Sequence, residues 1–208
     1  MKKKDAVTCL FLDIGGVLLT DGWSHDAGKR AARTFGLNLE ELKNRHAQAL
    51  DAYELGKLGM DEFLRLVVFH EKRTFTPAQF RNFMYAQSKP YPEMIALVRR
   101  LKARHGLKIV VVSNEGRGLN EYRIRKFKLD EFVDSFVSSC YVRLRKPDAD
   151  IFRIALAIAQ VPASQVIYID NIPMFVTVAE RLGIHGILHN DYASTCTKLS
   201  AFGLQVAG

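Results

Sequence analysis

Near its start the chain has a hydrophobic stretch, residues 7–19, that is interrupted by one carboxylate, Asp13, and by two glycines. Residues 7–12 do not alternate between apolar and polar side chains, which is typical of a strand buried on both faces of a parallel sheet. Asp13 follows where this strand is predicted to end. Because a carboxylate beside a core strand is costly to desolvate, we expect a cation or hydrogen-bond donors next to it. Gly15 and Gly16 would let the backbone approach a ligand closely.

After Pro90 the sequence alternates between short apolar runs and helical patterns. Buried strands are predicted at residues 107–112 and 166–169, and shorter ones near 136–138 and 186–188. Strands that alternate with helices indicate a parallel sheet with crossover helices. The expected fold class is therefore α/β, with a Rossmann-like, doubly wound parallel sheet.

Residues 21–87 have helical periodicity and no buried-strand run. Asn38 stands three residues before Glu41, and Thr76-Pro77 is followed by Gln79, so both places carry the signature of a helix start. Because the first strand belongs to the sheet, this segment is predicted to be an insertion. We expect an α/β core at residues 1–18 and 88–208 and a small all-α helical cap at residues 19–87.

Composition sets broad limits on partners and location. The net charge of +8, from 30 Lys and Arg against 22 Asp and Glu in 208 residues, favours anionic ligands, but the basic residues are spread out and do not predict nucleic-acid binding. Cys9, Cys140 and Cys196 are too few and too scattered for a disulfide framework. The lysines at 2–4 imitate a signal peptide, but Asp13 breaks the apolar segment. We expect a soluble cytoplasmic protein with no membrane partner, and the oligomeric state stays open.

Polar residues follow three of the predicted strands. In an open parallel sheet ligands bind beyond the carboxyl ends of the strands, which is where Asp13, Ser113 and Asp170 lie. Lys146 precedes a predicted helix and can point at the same edge. Two carboxylates at one site repel unless a cation intervenes, and oxygen ligands favour a hard ion such as Mg²⁺. Taken singly, Ser113 also fits a helix cap, Lys146 a solvated lysine and Asp170 a turn residue.

Four segments together resemble the motifs of the haloacid dehalogenase (HAD) superfamily, in its branch with a helical cap after the first motif that includes glucose-1-phosphate phosphatase-like and epoxide-hydrolase-phosphatase-like proteins. They are Asp13-Ile14-Gly15-Gly16-Val17, Ser113-Asn114, Lys146-Pro147 and Asp170-Asn171. The resemblance implies that Asp13 is the nucleophile and that Lys146 assists catalysis. It also implies that Ser113, Asn114 and Lys146 bind substrate, and that Asp13, the Gly15 carbonyl and Asp170 hold Mg²⁺.

The chain departs from the family pattern at three positions. Phosphatases of this family usually carry a general acid and base two residues after the nucleophile, where this chain has Gly15, and such a group is worth about 10²–10⁴ in rate. Asp21 and His25 are the nearest substitutes in sequence, although we interpret both as ordinary loop residues. Asn171 and Phe175 replace polar or acidic groups of the fourth motif and predict weak metal affinity.

The leading hypothesis is a Mg²⁺-dependent phosphatase that acts on a small phosphorylated metabolite, with the cap over the site. The first alternative is a dehalogenase, for which Gly15 is no handicap because halide leaves without a proton. Against it, that branch usually has Tyr and Thr where this chain has Gly15 and Val17. The second alternative is a protein of this fold that has lost turnover and binds a phosphorylated ligand or a partner.

Overall fold

The computed structural model describes residues 6–205. Its centre is a five-stranded, wholly parallel sheet in the order β3-β2-β1-β4-β5. The strands are β1 (Cys9–Leu12), β2 (Lys108–Ser113), β3 (Ser135–Ser138), β4 (Val166–Asp170) and β5 (His185–Leu188). The predicted α/β fold with a doubly wound parallel sheet is confirmed.

The central strand is buried on both faces. Leu10 and Leu12 of β1 belong to one hydrophobic cluster, whereas Cys9 and Phe11 belong to another on the opposite face. This arrangement follows from the alternation of side chains along a strand, and it explains why the sequence of β1 is continuously apolar.

Helices cover both faces of the sheet. On the side of Leu10 lie α5 (Pro92–His105) and α10 (Tyr192–Ser200), and on the side of Phe11 lie α8 (Ala149–Ala159) and α9 (Pro173–Glu180). The remaining helices of this part are α6 (Arg117–Lys126) and the short α7 (Ser139–Val142). Because all five strands run parallel, they end at the same edge of the sheet.

Four helices form the inserted segment: α1 (His25–Phe35), α2 (Leu39–Glu54), α3 (Met60–Val67) and α4 (Pro77–Ala86). Both predicted helix starts are confirmed. The Asn38 side chain accepts from the Glu41 backbone N at 3.1 Å, and Thr76 and Gln79 form a reciprocal capping box. These helices share a third hydrophobic cluster, to which Leu119 of α6 also contributes. The cap boundaries at residues 19 and 87 stay a prediction.

The chain enters and leaves the helical segment through two linkers that lie side by side. Leu19 forms an antiparallel bridge with Pro90, and the Thr20 backbone N donates to the Lys89 carbonyl at 2.8 Å. The Lys89 backbone N donates in turn to the Thr20 hydroxyl at 2.9 Å. These contacts fix the position of the residues just beyond Thr20 against the core.

Two further expectations concern location. Within residues 6–205 no helix combines the length and the apolar character needed to cross a membrane. The lysines at 2–4 lie outside the described residues.

All three cysteines are free thiols, and burial raises the pKa of Cys9 and of Cys140 to about 12, which keeps both in the unreactive thiol form.

Candidate active site

The sheet brings polar side chains from three strands to one edge. Asp13 directly follows β1, and Ser113 and Asp170 are the last residues of the neighbouring strands β2 and β4. Because β1 lies between β2 and β4, these three side chains are neighbours although their positions are far apart in the sequence. All three are buried, and Asp13 is 8% exposed.

Lys146 lies between the two carboxylates. Its ammonium nitrogen is 3.1 Å from Asp13 Oδ1 and 2.6 Å from Asp170 Oδ2, and the residue is 1% exposed. Burial lowers the pKa of Lys146, but the two carboxylates outweigh this effect and hold the pKa above its usual value. The lysine is therefore a permanently charged group at the end of the sheet.

Asp13 is held by the chain on one side. Its Oδ1 accepts from the Ile14 backbone N at 2.8 Å as well as from Lys146, and the Ser113 hydroxyl also hydrogen-bonds to this carboxylate. Burial raises the pKa of Asp13, Lys146 opposes this rise, and Asp170 adds to it. Within residues 6–205, the contacts of Asp13 with a backbone N and with the ammonium group are both made by Oδ1.

Asp170 uses both of its oxygens within the protein. Oδ1 accepts from the Ile172 backbone N at 2.7 Å, while Oδ2 accepts from Lys146 and from the hydroxyl of Tyr168. Lys146 thus contacts one oxygen of each carboxylate, Oδ1 of Asp13 and Oδ2 of Asp170. Among residues 6–205, no group of three or more His, Cys, Asp or Glu side chains is arranged to hold a metal ion. The predicted set consists of two carboxylates and the Gly15 backbone carbonyl, and its binding of Mg²⁺ stays a prediction.

Asn114 fixes the segment that carries Lys146. Its Nδ2 donates to the Lys146 carbonyl at 2.9 Å, and its Oδ1 accepts from the Lys146 backbone N at 2.8 Å. These two reciprocal hydrogen bonds hold the backbone of Lys146 against the loop after β2. Asn114 also lines the cavity beside Asp13.

The two altered positions of the fourth motif have distinct surroundings. A Cβ on Gly16 would lie 2.3 Å from Asn171 Nδ2, so the Asn171 side chain packs directly on that glycine. The Lys146 ammonium lies 4.9 Å from the centre of the Phe175 ring, which is close enough for a cation–π contact. Phe175 thus replaces a polar group with an aromatic face beside the buried cation.

A cavity of about 330 Å³ opens over Asp13, between the sheet edge and the helical segment. Its helical side includes aromatic and aliphatic side chains, and burial lowers the pKa of His46 there to about 4, so that this histidine is neutral at pH 7. Charged residues on its wall are Asp13, Asp21, Glu54, Glu115, Arg123 and Arg145.

The two candidate substitutes for the missing acid differ in position. Asp21 lines the cavity, and its Oδ1 lies 3.1 Å from the point where a Cβ on Gly15 would be. His25 is the exposed first residue of α1 and is not part of the cavity lining.

Residues 7–183 match the family model described as haloacid dehalogenase-like hydrolase. The match covers β1 to β4 and all four segments that resemble the motifs of this family. The chain belongs to the haloacid dehalogenase-like hydrolases. It is therefore a hydrolase.

Solved structures with a similar fold include a HAD family enzyme and a dehalogenase. The HAD family enzyme bt-2542 of Bacteroides thetaiotaomicron superposes with a TM-score of 0.76 at 17% identity, over 88% of this chain and 94% of that one. Its complex with magnesium and inorganic phosphate gives 0.72 at 18% identity, over 88% and 94% of the two chains. An L-2-haloacid dehalogenase, RSc1362, gives 0.66 at 18% identity, over 89% and 87%. At these identities the likeness concerns the fold.

One curated relative is a much longer protein. Acyl-CoA dehydrogenase family member 10 of Mus musculus is 26% identical over 130 residues, which is 62% of this chain. The chain spans only 12% of that protein's length.

Three residues of this HAD-like site were missed from the sequence. Tyr168 contacts both Lys146 and Asp170, and its place two residues before Asp170 on the same strand, hence on the same face, was a usable signal. Glu115 and Arg123 form a buried ion pair on the cavity wall. Glu115 directly follows the second motif, but nothing local in the sequence pairs it with Arg123.

Proposed function

We propose that this HAD-like hydrolase is a phosphoric monoester hydrolase in which Asp13 attacks phosphorus and forms an aspartyl-phosphate. The observation that carries the proposal is that Asp13 and Ser113 line one cavity, while the Lys146 ammonium lies 3.1 Å from Asp13 Oδ1. A carboxylate nucleophile next to a fixed cation and a hydroxyl donor suits transfer of a phosphoryl group. The structural likeness to an enzyme solved with magnesium and inorganic phosphate supports the same reading.

Each residue has one role in this proposal. Oδ1 of Asp13 is held by Lys146 and the Ile14 backbone N, so Oδ2 is the attacking oxygen. Lys146 neutralises charge on the transferring phosphoryl oxygens, and Ser113 donates to one of them. Asp170 and Asn114 act as positioning residues because they hold the lysine side chain and backbone.

The size of the cavity favours a small substrate. Pockets for small molecules span roughly 300–1,000 Å³, and this one measures about 330 Å³. Its helical wall combines aromatic and aliphatic groups with the paired charges of Glu54 and Arg145, which are 2.7 Å apart. We therefore infer a small phosphorylated metabolite as substrate. Binding of Mg²⁺ by Asp13, the Gly15 carbonyl and Asp170 stays a prediction.

The test is release of inorganic phosphate by the purified protein from p-nitrophenyl phosphate and from a panel of small phosphate esters, each with and without Mg²⁺. We expect turnover of some esters by the wild type and loss of that turnover in Asp13→Asn. Asp130→Asn, which changes an exposed carboxylate outside the cavity, serves as the matched control. Retained turnover in Asp13→Asn, or no hydrolysis of any ester under either condition, contradicts the proposal.

The lysine between two acids also favours a second candidate, hydrolysis of a carbon–halogen bond. In that reaction Asp13 attacks carbon and halide leaves without needing a proton, so neither a metal ion nor a residue in place of Gly15 is required. The likeness to a dehalogenase fold agrees with this candidate. Chloride release from 2-chloropropionate, lost in Asp13→Asn and unaffected by chelation, would identify it.

A further inference from the structure

Asp21 places a carboxylate next to Gly15, the position where the missing acid would stand. A Cβ on Gly15 would lie 3.1 Å from Asp21 Oδ1 and would meet no other atom within 3.5 Å. The side chain of an acidic residue at position 15 would extend from that point. A residue six positions further along the chain thus places its carboxylate beside Gly15.

The backbone around Asp21 is fixed on both sides. Thr20 is tied to the second linker by the hydrogen bonds with Lys89, and its carbonyl accepts from Arg123 Nη2 at 2.9 Å. A Cβ on Gly22 would lie 2.5 Å from both Arg123 Nη2 and Leu119 Cδ2, so this position accepts only glycine without rearrangement. Asp21 is therefore held in place by its neighbours and not by contacts of its own side chain.

Asp21 also differs from the other carboxylates on the cavity wall. Asp13 is paired with Lys146, Glu54 with Arg145 and Glu115 with Arg123. Within residues 6–205, the Asp21 carboxylate has no ion pair or hydrogen bond, and the residue is exposed. Among the carboxylates that the described residues place on that wall, Asp21 is thus the one that is exposed and without an ion pair.

We propose that Asp21 is the general acid and base of the reaction, in the place usually taken by the second residue after the nucleophile. The proposal rests on the phosphatase function proposed above, because a halide would not need this proton. Asp21 would touch the leaving-group oxygen and then the attacking water, so it is assigned as a catalytic residue.

The two steps balance as follows. Asp13 Oδ2 forms a bond to phosphorus while the bond from phosphorus to the ester oxygen breaks, and that oxygen takes its proton from the Asp21 carboxyl group. A water oxygen then bonds to phosphorus and gives a proton to the Asp21 carboxylate. The bond from phosphorus to Asp13 breaks, and its electron pair returns to the Asp13 carboxylate. The products are one alcohol and one inorganic phosphate, and Asp21 is again protonated.

The experiment compares leaving groups in wild type and Asp21→Asn. An alkyl phosphate needs the proton in the first step, so its hydrolysis should fall by about 10²–10⁴. 2,4-Dinitrophenyl phosphate has a good leaving group, so Asp21→Asn should release about one equivalent of dinitrophenol per enzyme at a nearly normal rate. Slow turnover should follow, because the water that cleaves the aspartyl-phosphate has lost its base. Circular dichroism and urea denaturation of the variant check that it folds.

The outcomes separate the two proposals. Alkyl phosphate hydrolysis that is unchanged in Asp21→Asn, or equal losses for both leaving groups without an initial burst, overturns the role of Asp21 and leaves the phosphatase proposal standing. A wild type that hydrolyses neither ester overturns the phosphatase proposal itself.

A relocation variant tests the shared space directly. In Gly15→Asp combined with Asp21→Gly, the carboxylate moves to position 15 and the contact at 3.1 Å is removed. Gly15 does not have the positive φ that would strain a side chain there. Recovery of alkyl phosphate hydrolysis well above that of Asp21→Asn supports the inference, and activity no better than that of Asp21→Asn contradicts it.

Discussion

At the residue scale, the site depends on one buried cation shared by two buried carboxylates. A buried charge is tolerated when it is paired, and removing one partner leaves the others uncompensated. Lys146 satisfies Asp13 and Asp170 at once, and Tyr168 adds a hydroxyl to the same network. The lysine is thus as important for folding as for the proposed chemistry.

This arrangement predicts that Lys146→Met lowers the free energy of unfolding by about 3–5 kcal/mol at pH 7. The loss should be smaller at pH 5, because the carboxyl groups left without a cation then take up protons. Urea denaturation at both pH values measures the effect, and Lys57→Met, at an exposed position, is the control. A loss no larger than that of the control would show that the two acids are stabilised in another way.

At the element scale, the turn after β1 explains why two glycines stand together. Gly16 has a φ of +74°, and the Asn171 side chain packs where its Cβ would be. Gly15 has neither constraint, and its only close contact would be with Asp21. The two glycines therefore serve different purposes: Gly16 allows the backbone turn, and Gly15 leaves room for another side chain.

The pair Gly15→Ala and Gly16→Ala tests this difference. We expect Gly16→Ala to lower the free energy of unfolding by about 1–3 kcal/mol, because a strained φ and a steric clash coincide. Gly15→Ala should change it by less than about 0.5 kcal/mol, as is usual where no such feature is present. Urea denaturation of both variants gives the comparison. Equal losses would contradict the separate roles.

At the scale of the whole molecule, a buried ion pair connects the core to both linkers of the helical segment. Arg123 of α6 pairs with Glu115, which follows β2 closely, and its Nε donates to the Ser88 hydroxyl at 3.0 Å. Its Nη2 donates to the Thr20 carbonyl on the other linker. The helical segment is thus anchored next to the cavity by one side chain of the core.

Glu115 makes the stability of this region depend on pH. Burial raises the pKa of Glu115 from 4.5 to about 7, against the opposing effect of Arg123. Between these values the folded protein binds more protons at Glu115 than the unfolded chain does. The contribution of Glu115 is therefore fully present below about pH 4.5 and is lost as the pH rises towards 7.

Urea denaturation of wild type and Glu115→Gln between pH 5 and pH 7 tests this dependence. The free energy of unfolding of the wild type should fall relative to that of the variant by up to about 1.4 kcal/mol for each pH unit. Using the difference between the two proteins removes the effect of the surface carboxylates, which titrate in both. A difference that stays constant with pH would mean that Glu115 titrates as an ordinary carboxyl group.

The sequence alone determined the helices and strands and showed which strands are followed by polar residues. Continuous apolar runs marked the buried strands, and the helix starts at Asn38 and Thr76 were visible because capping depends on residues only three apart. The convergence of Asp13, Ser113 and Asp170 followed from the rule that parallel strands end at one edge of a sheet.

The tertiary structure decided what lies between those residues. A sequence does not give the direction of a long side chain, so it could not show that the Lys146 ammonium group contacts both Asp13 and Asp170. Nor could it show that the carboxylate of Asp21, which we interpreted as an ordinary loop residue, lies beside Gly15. Both facts depend on contacts between segments that only the folded chain brings together.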